Sequence, residues 1–303
     1  MKALFIHTRT NEVMGHVSAW ESVYGPCAKL AFDHTGIRND HLLLEAACDT
    51  QPSVIFYIGA CKALGNPRPD TLIELRSMAR LVNLVSDAAD RPWHPVLAGY
   101  RSRGCFDLQV SIDGGREYID HATLTPVDTR YFEGPEVERD IRCGFSGSVG
   151  RWNNRSEIVN ALEWFGGLTV RRRELKQGEG YADHAAFMRR CRMILNVSYT
   201  GSQQAHHIKG RVLEAGWAGA CLLEMEGSPI GEWVPANKNL PTDCYFTYRD
   251  PREAAVMIRD LSDYEIMTAA SNLSRHVRQQ YSPAKIYGGI LEKLGLVVPA
   301  VAA

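Results

Sequence analysis

The chain alternates short apolar runs with longer amphipathic stretches. Ala3–Thr8 (ALFIHT), Ser53–Gly59 (SVIFYIG), Leu81–Val85 and Cys105–Ile112 are rich in Val, Ile, Leu, Phe and Tyr. Such runs fit strands of a parallel sheet covered on both faces. His41–Ala47 and Pro69–Met78 carry helical spacing, and the second opens on Pro-Asp, as helix starts do. A loop followed by a helix is expected across PWHPVLAGYRSRG, and Arg9–Gly15 reads as a polar loop. Ala122–Phe132 then leads into a polar, acidic connector, Glu133–Asp140.

A second alternation begins at Ile141. It runs through a strand, a glycine/serine loop, a helix with Ser156 as its N-cap, the strand GLTVRRR and a helix over Ala185–Arg192. Met193–Met225 reads as strand, polar loop, short helix and strand, and CYFTY as another strand. Helices are expected from Pro251 to Leu261 behind Asp250, over Asp263–Gln280, and from Pro283 to Leu294. Strands alternating with helices imply parallel sheets, and the alternation occurs twice. The expected fold is therefore α/β, with two Rossmann-like domains and a cleft between them. We place the first at 1–135, the second at 136–280 and a closing segment at 281–303.

Composition narrows the function. With 303 residues there is room for two domains, and a net charge of −1 gives no global field for nucleic acid or an anionic membrane. No run approaches the roughly 18 apolar residues that span a bilayer, and the opening MKALFIHTRTNE is too short in its apolar part for a signal peptide. The eight cysteines include no CxxC pair and read as reduced, mostly buried thiols of a cytoplasmic protein. No metal site or cofactor is expected.

Chemistry concentrates in Met193–Met225. The loop and the start of the short helix gather His206, His207, Lys209 and Arg211, with Glu214 close behind. Helix N-termini favour anions, and a carboxylate can accept hydrogen bonds from a ribose diol. At helical spacing His207, Arg211 and Glu214 would share one face. Gly144, Gly147 and Gly150, with Ser148, form a second feature of phosphate-cradle type, and Arg151 and Arg155 stand four residues apart beyond it. Glu224 and Glu226 close the following strand, where α/β sheets bind ligands.

In the first half, His7 ends a strand and Asp87 follows another, so either is a candidate general base. His16 and Trp20 are candidate acceptor contacts. Arg171–Lys176 (RRRELK) reads as a solvated basic edge.

At these residues the chain resembles the donor-binding half of GT-B glycosyltransferases, above all the group-1-like branch that includes CgeB-like spore-maturation-type proteins. The string KGRVLEAGWAGACLLEM carries the resemblance, with the later GEWVPANKN, TPVDTRYF and the ending YSPAKIYGGILEKL. The resemblance implies that the last helix crosses back onto the first domain. It also implies that Glu214 holds the ribose of a nucleotide sugar, with Lys209, Arg211, Arg151 and Arg155 at the diphosphate. One departure stands out: His206 occupies the place, eight residues before Glu214, where many group-1 enzymes carry another glutamate.

The expected reaction is metal-independent transfer of a sugar from a nucleotide diphosphate to a hydroxyl of a sugar, lipid-linked or protein acceptor. Peripheral membrane contact is compatible with this; a nucleic-acid partner is not expected. Two other readings are a nucleotide-sugar epimerase and a non-catalytic nucleotide-sugar-binding subunit.

Overall fold

The computed structural model describes residues 1–8, 11–149, 154–172, 180–235 and 243–298. The chain forms two compact units, Met1–Asp128 with Pro283–Ala303, and Thr129–Ser282.

The first unit runs β1 (Ala3–Thr8), α1 (Asn11–Tyr24), β2 (Ala28–Phe32), α2 (Asp40–Thr50), β3 (Val54–Ile58), α3 (Pro69–Met78), β4 (Arg80–Val85), α4 (His94–Ser102), β5 (Leu108–Ser111) and β6 (His121–Ala122). Its sheet has the order β2-β1-β3-β4-β5-β6, parallel throughout. Every residue of β1 and β3 is buried, as strands covered on both faces require.

Three elements were not anticipated: α1, β2 and the two-residue β6. The stretch read as a loop starts α1, whose buried Val17, Trp20 and Val23 recur at helical spacing. β2 is an edge strand with alternating exposure, and Ala28, Lys29 and Ala31 are residue types that strands disfavour, so its sequence AKLAF does not mark it.

The second unit runs β7 (Ile141–Gly147), α5 (Asn154–Phe165), β8 (Leu168–Arg172), α6 (Tyr181–Arg190), β9 (Cys191–Leu195), α7 (Arg211–Ala218), β10 (Cys221–Met225), β11 (Tyr245–Tyr248), α8 (Pro251–Asp260) and α9 (Asp263–Gln280). The sheet order is β11-β10-β9-β7-β8, again parallel. Asp250 caps α8 by accepting from the N–H groups of Arg252 and Glu253 at 2.8 and 3.0 Å. Ser262 and Glu265 form a capping box that starts α9. Ser156 is no N-cap: it lies buried inside the first turn of α5.

The final helix, α10 (Pro283–Lys293), returns to the first unit. The Tyr287 hydroxyl donates to the His16 carbonyl at 2.7 Å, and its ring meets Trp20 edge-on at 5.2 Å. All eight cysteines are free, and five are buried. Among the described residues, no helix is long and apolar enough to cross a membrane.

Candidate functional site

Both sheets place their first strand between the second and third, so strand order reverses beside β1 in one unit and beside β7 in the other. Helices flanking such a reversal leave to opposite faces, opening a crevice beyond the strands' carboxyl ends where ligands bind. In the second unit that place is occupied by Ser146 and Gly147 at the end of β7 and by Asn196–Ser198 after β9.

Arg211, the first residue of α7, reaches across to this point. Its Nε and Nη2 both donate to the Ser146 carbonyl, at 2.9 and 2.7 Å. Its guanidinium lies over the Phe145 ring, 4.5 Å from the centroid. Gly147 has φ +152°, and a side chain there would overlap the Arg211 Nη2. Gly144, by contrast, is a packing residue inside β7 against Cys191 and Phe187 and cradles nothing.

Glu214 sits in the first turn of α7, with 13% of its side chain exposed. The His184 Nε2 lies 3.1 Å from its Oε2, and the Tyr181 hydroxyl donates to its Oε1 at 3.2 Å. The His184 Nδ1 in turn lies 2.8 Å from the Ser146 hydroxyl oxygen. Ser146 therefore touches both Arg211, through its carbonyl, and the Glu214 network, through its side chain. Sequence reasoning missed Ser146, Tyr181 and His184. A signal existed for one of them: His184 lies on the apolar face of α6 with Phe187 and Met188, and a buried imidazole needs a polar partner.

The remaining donor-side residues divide. Lys209 is half-buried just before α7. Arg155 donates from Nη2 to the Tyr199 carbonyl at 3.3 Å. Ser148 is exposed, and Gly150 and Arg151 lie outside the described residues. His207 precedes α7, so it shares no helix face with Arg211 and Glu214. Its N–H bonds the Ser198 carbonyl at 2.9 Å, and the residue is 3% exposed. His206 stacks near Tyr199, with ring centroids 4.7 Å apart, and its Nδ1 lies 2.8 Å from the Ser198 hydroxyl. Burial lowers its pKa, helped by the neighbouring His207.

Glu224 does not present a carboxylate to a ligand. It is completely buried, accepting from the Asn196 side-chain amide at 2.7 Å and from the Met225 N–H at 3.2 Å. Burial pushes its pKa up to about 7 despite these donors. It ties the carboxyl ends of β9 and β10 together. Glu226, one residue past β10, is exposed.

In the first unit, His7 is the penultimate residue of β1, beside the strand reversal, and is 5% exposed. Its Nδ1 donates to the Thr8 carbonyl at 2.9 Å. A carbonyl only accepts, so the hydrogen is on Nδ1; burial lowers the pKa, leaving a neutral ring with its lone pair on Nε2. His16, in α1, is driven down to about 4 by burial and by His7. Its Nδ1 has no partner among the described residues. Trp20 is no acceptor contact: it packs against Phe5, Phe56 and Tyr287, fully inside the core. Asp87, half-buried after β4, adopts φ +58° and accepts the Asp90 N–H on its carbonyl at 2.8 Å.

Two parallel-sheet α/β units, with a terminal helix returning to the first, define the GT-B glycosyltransferase fold. HepE of Anabaena in complex with UDP-glucose shares it, at TM-score 0.64 and 11% identity over 97% of this chain and 99% of that one. An α-glucosyltransferase in complex with UDP-glucose and DNA containing an abasic site follows at 0.61 and 10%, covering 97% and 99% of the two chains. A glycosyltransferase from Rickettsia africae gives 0.57 and 9%, over 97% and 98%. At these identities the likeness carries the fold. A family model described as glycosyl transferase-like matches residues 132–292, more than half of the chain, and the chain belongs to that family. No curated protein matches it in sequence.

Proposed function

We propose that the protein transfers a sugar from a nucleoside diphosphate sugar, bound on the second unit, to a hydroxyl acceptor bound on the first. The observation that carries this is the joint anchoring of Arg211 and Glu214 at Ser146, at the strand reversal of a glycosyl transferase-like chain. Glu214 would accept from the ribose hydroxyls. Arg211 and Lys209, with Arg155 and Arg151, would meet the diphosphate. The solved neighbours bound to UDP-glucose support this donor class. The string KGRVLEAGWAGACLLEM supports a place in the CgeB-like branch.

The hard step is departure of the nucleoside diphosphate. We assign its stabilisation to the guanidinium and ammonium groups and the α7 N-terminus, with no metal required. The acceptor hydroxyl must lose a proton. His7 has the protonation state a base needs, and Asp87 is the other candidate.

Calorimetry with UDP, GDP, CDP and dTDP, followed by product analysis with the matching donor sugar and added EDTA, tests the proposal. Nucleotide binding weakened by Glu214→Ala and turnover surviving EDTA are the expected results. Unchanged affinity in Glu214→Ala would remove the ribose assignment, and an epimerised donor as sole product would remove the transferase. Binding without turnover would favour a non-catalytic subunit.

A further inference from the structure

Glu214 alone could not discriminate a ribose well. A carboxylate on a helix turn rotates about its side-chain torsions, and its rotamer freedom must be given up when a diol binds. In this protein the torsions are already restrained. The His184 Nε2 lies 3.1 Å from one carboxylate oxygen, and the Tyr181 hydroxyl donates to the other at 3.2 Å. Each donor is itself fixed. His184 is buried and held from behind by the Ser146 hydroxyl at 2.8 Å. The Tyr181 ring stands edge-on to Tyr131 and Phe132, with centroids 5.4 and 6.0 Å away.

Glu214 only accepts, so the His184 Nε2 carries hydrogen. On the other side of the ring, Nδ1 lies 2.8 Å from the Ser146 hydroxyl oxygen. The chain Ser146–His184–Glu214 thus links the end of β7 to the helix that follows β9. An ionised carboxyl group has about four acceptor positions. His184 and Tyr181 each hold one of these, on different oxygens, and two holds on different oxygens fix the plane of the carboxylate.

We propose that Tyr181 and His184 are positioning residues that clamp Glu214 for a cis-diol, so that ribose recognition depends on α6 as much as on α7. The proposal rests on the donor-site reading above. It assigns selectivity for a ribonucleotide over its 2′-deoxy form to two side chains that need not touch the nucleotide. Because Ser146 also accepts from Arg211, the same residue sets the spacing between the ribose and diphosphate contacts.

The test is calorimetry of UDP and 2′-deoxy-UDP with the full chain, for wild type, Tyr181→Phe, His184→Phe, His184→Gln and Glu214→Gln. Wild type should prefer UDP. Tyr181→Phe and His184→Phe should each reduce that preference about tenfold, the scale of one hydrogen bond to a charged group, with 2′-deoxy-UDP affinity nearly unchanged. His184→Gln keeps an N–H donor and should restore part of the preference. Tyr181→Phe removes only a hydroxyl from a half-buried ring, so it keeps the test open if the His184 variants fold poorly. Equal weakening of both nucleotides in Tyr181→Phe would show a merely structural role and overturn the proposal. So would an intact preference in Tyr181→Phe and His184→Phe when Glu214→Gln abolishes it, and the donor reading would then survive alone. A preference untouched by Glu214→Gln, or absent in wild type, would overturn both.

Discussion

Gly147 and Arg211 occupy each other's space: the guanidinium fills the position where any other residue at 147 would carry its side chain. The two hydrogen bonds from Arg211 to the Ser146 carbonyl depend on that vacancy. Gly147 also holds φ +152°, a conformation costing another residue about 1–3 kcal/mol. Gly147→Ala should therefore displace Arg211 and weaken nucleoside diphosphate binding by about tenfold or more. Calorimetry checks this; an unchanged Kd would show that Arg211 does not meet the diphosphate from this position.

Glu224 should make the protein less stable as pH rises from about 4.5 to about 7. Its carboxyl titrates near 7 when folded, against an ordinary value of 4.5. Between those values the unfolded chain releases a proton that the folded one keeps, so stability falls with rising pH. The loss amounts to about 3 kcal/mol once the pH is well above 7. Glu224→Gln removes this cost. The Asn196 Oδ1, without a partner among the described residues, can turn to accept from the new amide. Melting temperatures of variant and wild type should agree near pH 4 and separate at pH 8 in favour of the variant. A gap independent of pH would refute the account.

His16 acts on the other limb. Its folded pKa of about 4 lies below the ordinary 6.5, so unfolding takes up a proton between those values. Stability should fall as pH drops from 6.5 to 4, by about 3 kcal/mol in full. In His16→Gln this part of the acid limb should flatten. A variant whose melting temperature tracks wild type from pH 7 to 4 would contradict it.

The two base candidates separate by substitution. Asp87 holds a left-handed backbone, which asparagine tolerates better than most residues, so Asp87→Asn changes the charge with little strain. His7→Gln keeps a polar group at the end of β1 but removes the basic nitrogen. The variant lacking the base should lose about 10²–10⁴-fold in kcat with nucleotide affinity nearly unchanged. The pattern expected from the His7 tautomer is that His7→Gln shows the larger loss. Equal, small losses in both would leave the proton to another acceptor.

Much of the fold was legible because buried parallel strands have to be apolar at nearly every position. Ala3–Thr8 and Asp263–Gln280 carry the boundaries of β1 and α9 in their composition and caps. β2 and α1 escaped because β2 is built largely of alanine and lysine, which strands disfavour, and the first residues of α1, Asn11 and Glu12, continue a polar run. Among site residues, Arg211 and Glu214 were legible as charges beside a helix start. Glu224 was misplaced because sequence shows that an acid ends a strand, but not whether neighbouring elements cover it. Trp20 failed for the same reason, as its ring is enclosed by Phe5, Phe56 and Tyr287 from three other elements.

By itself, then, the sequence determined the alternation of buried strands and amphipathic helices, and with it two α/β units. These depend on local periodicity and short-range caps. Tertiary structure alone decided that Ser146, Tyr181, His184, Arg211 and Glu214 meet, because hydrogen bonds spanning 33 to 65 residues leave no periodic trace along the chain. It also decided the protonation of Glu224 and His16, since a pKa answers to the dielectric and the donors that folding brings around a group.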